Sequence, residues 1–277
     1  MGEHHAQLEW ERRNGRLAAA AAFASGVFLV AYNVLVSAVV LSDRPNTDRG
    51  FLVALDAKPD AYLIAAVGQA LNFLALAVVL WYLFRVTRYR RSELPPWLVW
   101  LVYLGPLLLA VGSVLMAIDR IDAADEFTSG GEMSERRAEN LLEERDAVSV
   151  GLGTGGTLAL AISLVLVSMN AMRAGVLSRF LGIIGIIVGG LYVIPIFGGP
   201  LIVQIFWLGA LGAVFLGYWP GGRGEAWETG TAVHWPSAAE RRREALGAAA
   251  AAEAEQEPEA EPPEEPGPSR RRRKRRR

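Results

Sequence analysis

Long apolar runs separated by short charged segments are what most limit the folds open to this chain. A helix needs about 20 largely apolar residues to cross roughly 30 Å of hydrocarbon. Six runs meet or approach that length: residues 17–41, 61–84, 97–118, 147–169, 180–197 and 201–219. The pattern predicts an all-α fold, a six-helix transmembrane bundle with a largely disordered, charged C-terminal tail. Residues 1–16 are expected as an N-terminal segment, 17–219 as the membrane domain and 220–277 as the tail. The fifth run is the shortest. It meets the sixth at "PIFGGP" (195–200), whose Pro and Gly residues break a helix and allow a tight hairpin, either fully crossing or re-entrant. The first run follows Arg12, Arg13 and Arg16, as in a signal peptide, but is longer than the roughly 7–15 apolar residues such a peptide carries. It reads as an uncleaved first span.

Arginine placement sets the expected orientation, because cytoplasmic loops are enriched in Lys and Arg. Arg12, Arg13 and Arg16 precede the first run, Arg85, Arg88, Arg90 and Arg91 follow the second, and Arg173 and Arg179 separate the fourth from the fifth. Six crossings place all three groups on one side, so both termini are expected in the cytoplasm. The loops 42–60 and 119–146 fall outside. Of 28 basic residues only Lys58 and Lys274 are lysine. That bias, with abundant Ala and Gly, suggests a GC-rich genome and a bacterial inner membrane.

The stretch "SVGLGTGGT" (149–157) carries Gly151, Gly153 and Gly156 at the G-x-G-x-x-G spacing of a dinucleotide loop. Such a loop follows a strand and opens a helix in a βαβ unit. Here a helical pattern, "ENLLEERDAV", comes first and an apolar run follows, so close helix packing through small residues is the expected role. Gly185 and Gly189, the set Gly209, Ala213 and Gly217, and the set Ala18, Ala22 and Gly26 repeat the four-residue spacing. They predict a compact bundle or a homo-oligomer.

No ionisable residue lies well inside a run, and such residues at depth usually mark ion paths or substrate sites. Asn33, Gln69, Asn72 and Gln204 are the polar candidates, either for interhelical hydrogen bonds or for a weakly polar cavity. Cysteine is absent, and His4, His5 and His234 have no metal-ligand spacing. No catalytic motif appears, so no enzyme activity and no cofactor or metal are expected. Asp119, Asp122, Asp125 and Glu126 share a helical face without the ligand pattern of a calcium loop, and read as a solvated acidic face.

Past residue 219 the composition changes. Trp219, Trp227 and Trp235 suit either an interfacial strap or a docking motif built on Trp227, Trp235 and Pro236. Ser237 with Glu240 forms a capping box, so a helix is expected from about residue 238 until Pro258 stops it. A Pro- and Glu-rich disordered stretch follows. The chain ends in Arg270, Arg271, Arg272, Arg273, Lys274, Arg275, Arg276 and Arg277. Such a block is attracted to anionic lipid and, as a second option, to nucleic-acid phosphates.

The segment "MNAMRAGVLSRFLGIIGIIVGG" carries Arg173, Gly175, Leu177, Arg179 and Leu181 in a short link before a glycine-rich helix. It resembles uncharacterised bacterial multi-pass membrane families of unknown function. The resemblance implies an integral membrane protein over about residues 17–218 and no assigned activity. The expected function is a non-enzymatic membrane scaffold whose tail recruits a cytoplasmic protein. The competing expectation is a small transporter, channel or lipid-handling protein using Asn33, Gln69, Asn72 and Gln204.

Overall fold

The computed structural model describes residues 2–42, 45–194, 199–220, 222–233, 242–243 and 246–248. Among these residues every regular element is a helix. Contacts divide the chain into Met1–Trp235 and Pro236–Arg277. The first unit therefore runs beyond the boundary expected at 219 and takes in the start of the presumed tail. The helix expected from 238, the disordered stretch and the basic block lie outside the described residues apart from two short helical fragments.

Helix α1 spans Gly2–Val34 and widens into a π-helical turn over Leu35–Val40. The expected N-terminal segment is thus the first part of one helix continuous with the first span. A short helix, α2 (Asp48–Asp56), follows. Thr47 caps its start by accepting from Gly50 N at 3.1 Å. The Glu135 carboxylate takes the neighbouring donors Asp48 N and Arg49 N at 2.6 and 3.2 Å. Pro59 opens α3 (Pro59–Arg90), at a position where its missing N–H costs nothing. Next come α4 (Leu98–Ser129), α5 (Glu135–Arg173), α6 (Arg179–Val193), α7 (Gly199–Leu216) and the single-turn α8 (Glu225–Thr229).

The stretch 119–146 was expected outside the spans, as a connection with helical character at 119–126 and 139–148. It is instead the continuation of α4 and the start of α5, joined by a short turn at Gly130–Ser134 in which Gly131 has φ +99°. The reason is burial: Ala123, Ala124, Phe127, Ala138 and Leu141 pack against Leu52 and Leu55 of α2 and form a second core beyond the apolar runs. The acids occupy the remaining faces of the same two helices.

The main helices neighbour one another in chain order, α1 on α3, α3 on α4, α4 on α5, α5 on α6 and α6 on α7, and α7 closes the ring on α1. Four of them are long and apolar enough to cross a membrane: α1, α3, α4 and α5. Helix α6, with 15 residues, extends about 22 Å at 1.5 Å per residue, and α7 is also a shorter apolar helix. Residues 195–198 of the hairpin between them lie outside the described residues.

Glycines bring some of these helices close, only in part at the positions the spacing suggested. A Cβ on Gly105 would sit 2.6 Å from Leu160 N, and one on Gly156 2.9 Å from Leu109 Cγ, so α4 and α5 touch nearly backbone to backbone there. In "SVGLGTGGT" only Gly156 does this, whereas Gly151, Gly153 and Gly155 meet nothing within 4 Å. Gly185 and Gly189 do lie against α5, at Ser168 and Val165. On α7 it is Gly212, facing the Phe23 ring, and not Gly209 that makes the close approach.

Candidate functional site at the arginine-rich end

The start of α1 and the ends of α3, α5 and α7 meet at one end of the bundle, and α8 is inserted among them. Trp227 carries that insertion. Its ring is buried beside Tyr82 and Phe215, with centroids 6.3 Å from each. The Arg90 and Arg223 guanidinium carbons lie 5.5 and 5.4 Å from the ring centre, within the range of cation–π attraction. The indole Nε1 donates to Val176 O at 2.9 Å. A buried Trp with its N–H partnered is an anchor within the chain.

Arg90 is the hub. Its side chain is fully buried, and Nη1 and Nη2 donate to the two Glu11 carboxylate oxygens at 2.6 and 2.8 Å. Nε donates to Ala226 O of α8 at 2.8 Å, and Nη1 also reaches Val86 O at 3.1 Å. The planar fork matches a carboxylate with two parallel bonds, a geometry lysine cannot reproduce. Tyr82 donates its hydroxyl to Glu11 O at 2.9 Å, so the α1 backbone is held as well as its side chain. Three elements far apart in sequence are thereby tied through one guanidinium.

Two further ties hold the segment around α8. Arg223 Nε donates to Val214 O at 2.8 Å. His4 Nε2 contacts Thr229 O at 2.5 Å; a carbonyl only accepts, so that nitrogen carries the proton and Nδ1 is left to face the Tyr89 hydroxyl at 3.2 Å. Beyond α8, Val233 N donates to Ala174 O at 3.2 Å. That contact requires Gly175, whose φ is +75° and whose Cβ would strike Val233 O. Gly175 closes α5 in a Schellman arrangement, Val176 N to Ala171 O at 2.9 Å and Gly175 N to Met172 O at 3.2 Å. Ser178 then caps α6 by accepting from Leu181 N at 3.3 Å. In the link that carried the family resemblance, Leu177 and Leu181 are buried, and Arg173 and Arg179 point outward.

The residues singled out from sequence are distributed as follows. Asn33 donates to Leu29 O of its own helix at 2.8 Å. Asn72 is fully buried and accepts from Ser25 Oγ of α1 at 2.7 Å. Gln204, on α7, accepts from Tyr192 of α6 at 3.1 Å. Gln69 is half-buried with Oε1 unpartnered, as are Asn72 Nδ2 and Gln204 Nε2. Asn72 and Gln204 thus take different interhelical partners. Trp227 was read as part of a docking motif. It is buried in the bundle, so its ring is not presented to a partner. Trp235, Pro236 and Arg270–Arg277 lie outside the described residues. Glu11 and Arg90 were not foreseen as a pair. Nothing local marks them, since the contact joins positions 79 apart.

No curated protein and no solved structure matches the chain. Residues 17–233 match one family, a span that starts with the first apolar run and ends at the residue where the chain is tied back to Ala174. The chain belongs to the family described as Domain of unknown function (DUF4386).

Proposed function

We propose that this is a non-enzymatic, multi-pass membrane scaffold that presents the chain beyond Val233 at the membrane surface. The observation carrying this reading is the anchoring of α8, with Trp227 and Ala226 held by Val176 and Arg90 and Val233 held by Ala174. A segment tied at these three places gives the following residues a fixed point of departure. The three arginine groups that set the expected orientation flank this end, which supports placing it, and both termini, on the cytoplasmic side of a bacterial cell membrane. On this reading all six apolar helices cross, α6 and α7 as a short hairpin. The docking role passes from Trp227 to Trp235, Pro236 and the residues after them. The basic block adds contact with anionic lipid, or less favourably with nucleic acid.

A second reading has one observation in its favour. Asn72 Nδ2 and Gln204 Nε2 are buried with no partner among the described residues, and buried polar atoms normally find one. Water or a small polar solute inside the bundle would supply it, as a transporter or lipid-handling protein requires.

The two readings separate in a pull-down from neutral detergent, comparing the full chain with a form ending after Val233. That end point keeps the anchoring of α8 intact. A stoichiometric protein partner that disappears with the truncation supports the scaffold. If both forms retain the same small molecule and no partner depends on the tail, the scaffold reading fails.

A further inference from the structure

Beside the anchored end lies a groove of about 280 Å³ between α1 and α3, lined by Gln7, Trp81, Phe84, Arg85, Arg88 and Tyr89. Its charge is one-sided. Among the described residues neither Arg85 nor Arg88 is in an ion pair, while Glu11 is taken by Arg90 and Glu93 by Arg91. The Arg85 guanidinium carbon lies 3.9 Å from the centre of the Trp10 ring, a cation–π contact that steadies the side chain beside the groove. Tyr89 is held by His4, and Gln7 by Glu11 at 2.9 Å.

The apolar surface next to the groove is equally specific. Going back along α3 from Arg85 in steps of four and three leads through Trp81, Val78, Leu74, Leu71 and Val67, all on one helical face. Of these Leu74, Leu71 and Val67 are 43, 41 and 45% exposed. A cationic groove at the head of an outward apolar stripe matches a molecule with an anionic head and an apolar chain. Trp81 sits at the junction, where interfacial tryptophans are enriched.

We infer that the groove formed by Gln7, Trp81, Arg85, Arg88 and Tyr89 binds the phosphate of an anionic phospholipid, with its acyl chain along the α3 face. Arg85 and Arg88 would share the phosphate oxygens by charge-assisted hydrogen bonds, and Gln7 and Tyr89 would meet the polar remainder of the headgroup. This site is independent of the basic block at residues 270–277 and of the scaffold reading.

The test uses the full chain in a neutral detergent, titrated with dioleoyl phosphatidylglycerol or dioleoyl phosphatidylcholine, with bound lipid counted by native mass spectrometry. The block at 270–277 is present in every form compared, so its contribution cancels. Arg85→Gln/Arg88→Gln is expected to raise the Kd for phosphatidylglycerol by about tenfold, whereas Arg12→Gln/Arg13→Gln, which removes equal charge from exposed positions, changes it by less than about twofold. Equal losses in the two double variants, or equal binding of the two lipids, would overturn the site. Displacement of the lipid by millimolar inorganic phosphate would overturn the lipid assignment in favour of a soluble phosphate. A second measurement does not depend on how the variants fold: photolabelling of the unaltered chain by head-group diazirine phosphatidylglycerol in phosphatidylcholine vesicles. Adducts at Gln7 and within 81–89 are expected, and adducts spread evenly around the bundle contradict the site.

Discussion

Arg90 and Glu11, 79 positions apart, meet through two parallel hydrogen bonds at the buried end of the bundle. Breaking such a pair leaves an uncompensated charge out of water, at a cost of about 3–5 kcal/mol. Arg90→Ala should therefore lower the thermal unfolding midpoint in detergent sharply. The Glu11→Ala/Arg90→Ala double variant should unfold no lower than Arg90→Ala alone, because the stranded carboxylate is gone. Additive losses would mean that the two residues do not act as a unit.

Trp227 holds α8 by its ring and its indole N–H together. Replacing a buried aromatic with alanine costs about 3–5 kcal/mol where the site cannot collapse. The Trp227→Ala chain is expected to be cut by trypsin at Arg223 faster than the unaltered chain, in which the Arg223 side chain is held by its bond to Val214 O. Cleavage rates at the far end, around Arg136 and Arg137, should not change. Unaltered protection of Arg223 would show that Trp227 is not what holds the segment.

Glycines separate into those that touch a neighbour and those that do not, and the difference is measurable. Gly105→Ala places a methyl group against Leu160 N and must push α4 from α5, so its unfolding midpoint should fall. Gly153→Ala meets nothing within 4 Å and replaces a poor helix former, so its midpoint should stay or rise. Matching behaviour of the two variants would contradict the close α4–α5 contact.

At the opposite end the Glu135 carboxylate accepts from the first amides of α2. Losing a capping acceptor typically costs about 1 kcal/mol, so Glu135→Ala should speed hydrogen exchange in Asp48–Asp56 by roughly fivefold. Exchange in α3 should be unaffected, since only the local cap is lost.

What could be read from the chain was what short-range physics controls. Apolar runs announce themselves by length: four coincide with helices long enough to cross a membrane, and the other two, over their described residues, with the shorter α6 and α7. Gly175 and Ser178 lie in a link whose turn is set by the residues beside them. The outer parts of α4 and α5, helical in pattern at 119–126 and 139–148, were not joined to the apolar runs because their buried residues are mostly alanine, set among acids, and alanine makes a weak apolar stripe. The glycines at 151, 153 and 209, unlike Gly185 and Gly189, meet no neighbour, for a different reason. A four-residue spacing identifies a stripe but not which neighbour it meets, so Gly153 and Gly105 look alike until the helices are placed. The latch at Arg90 has no local signature at all: one partner lies before the first span and another, Ala226, after the last.

That last separation bears on how the protein is made. Glu11 leaves the ribosome first, Arg90 follows with α3, and the carbonyl of Ala226 arrives only after every apolar helix has been synthesised. During translation the Arg90 Nε–H must therefore wait for its acceptor, and this end of the bundle closes only once α8 has been made.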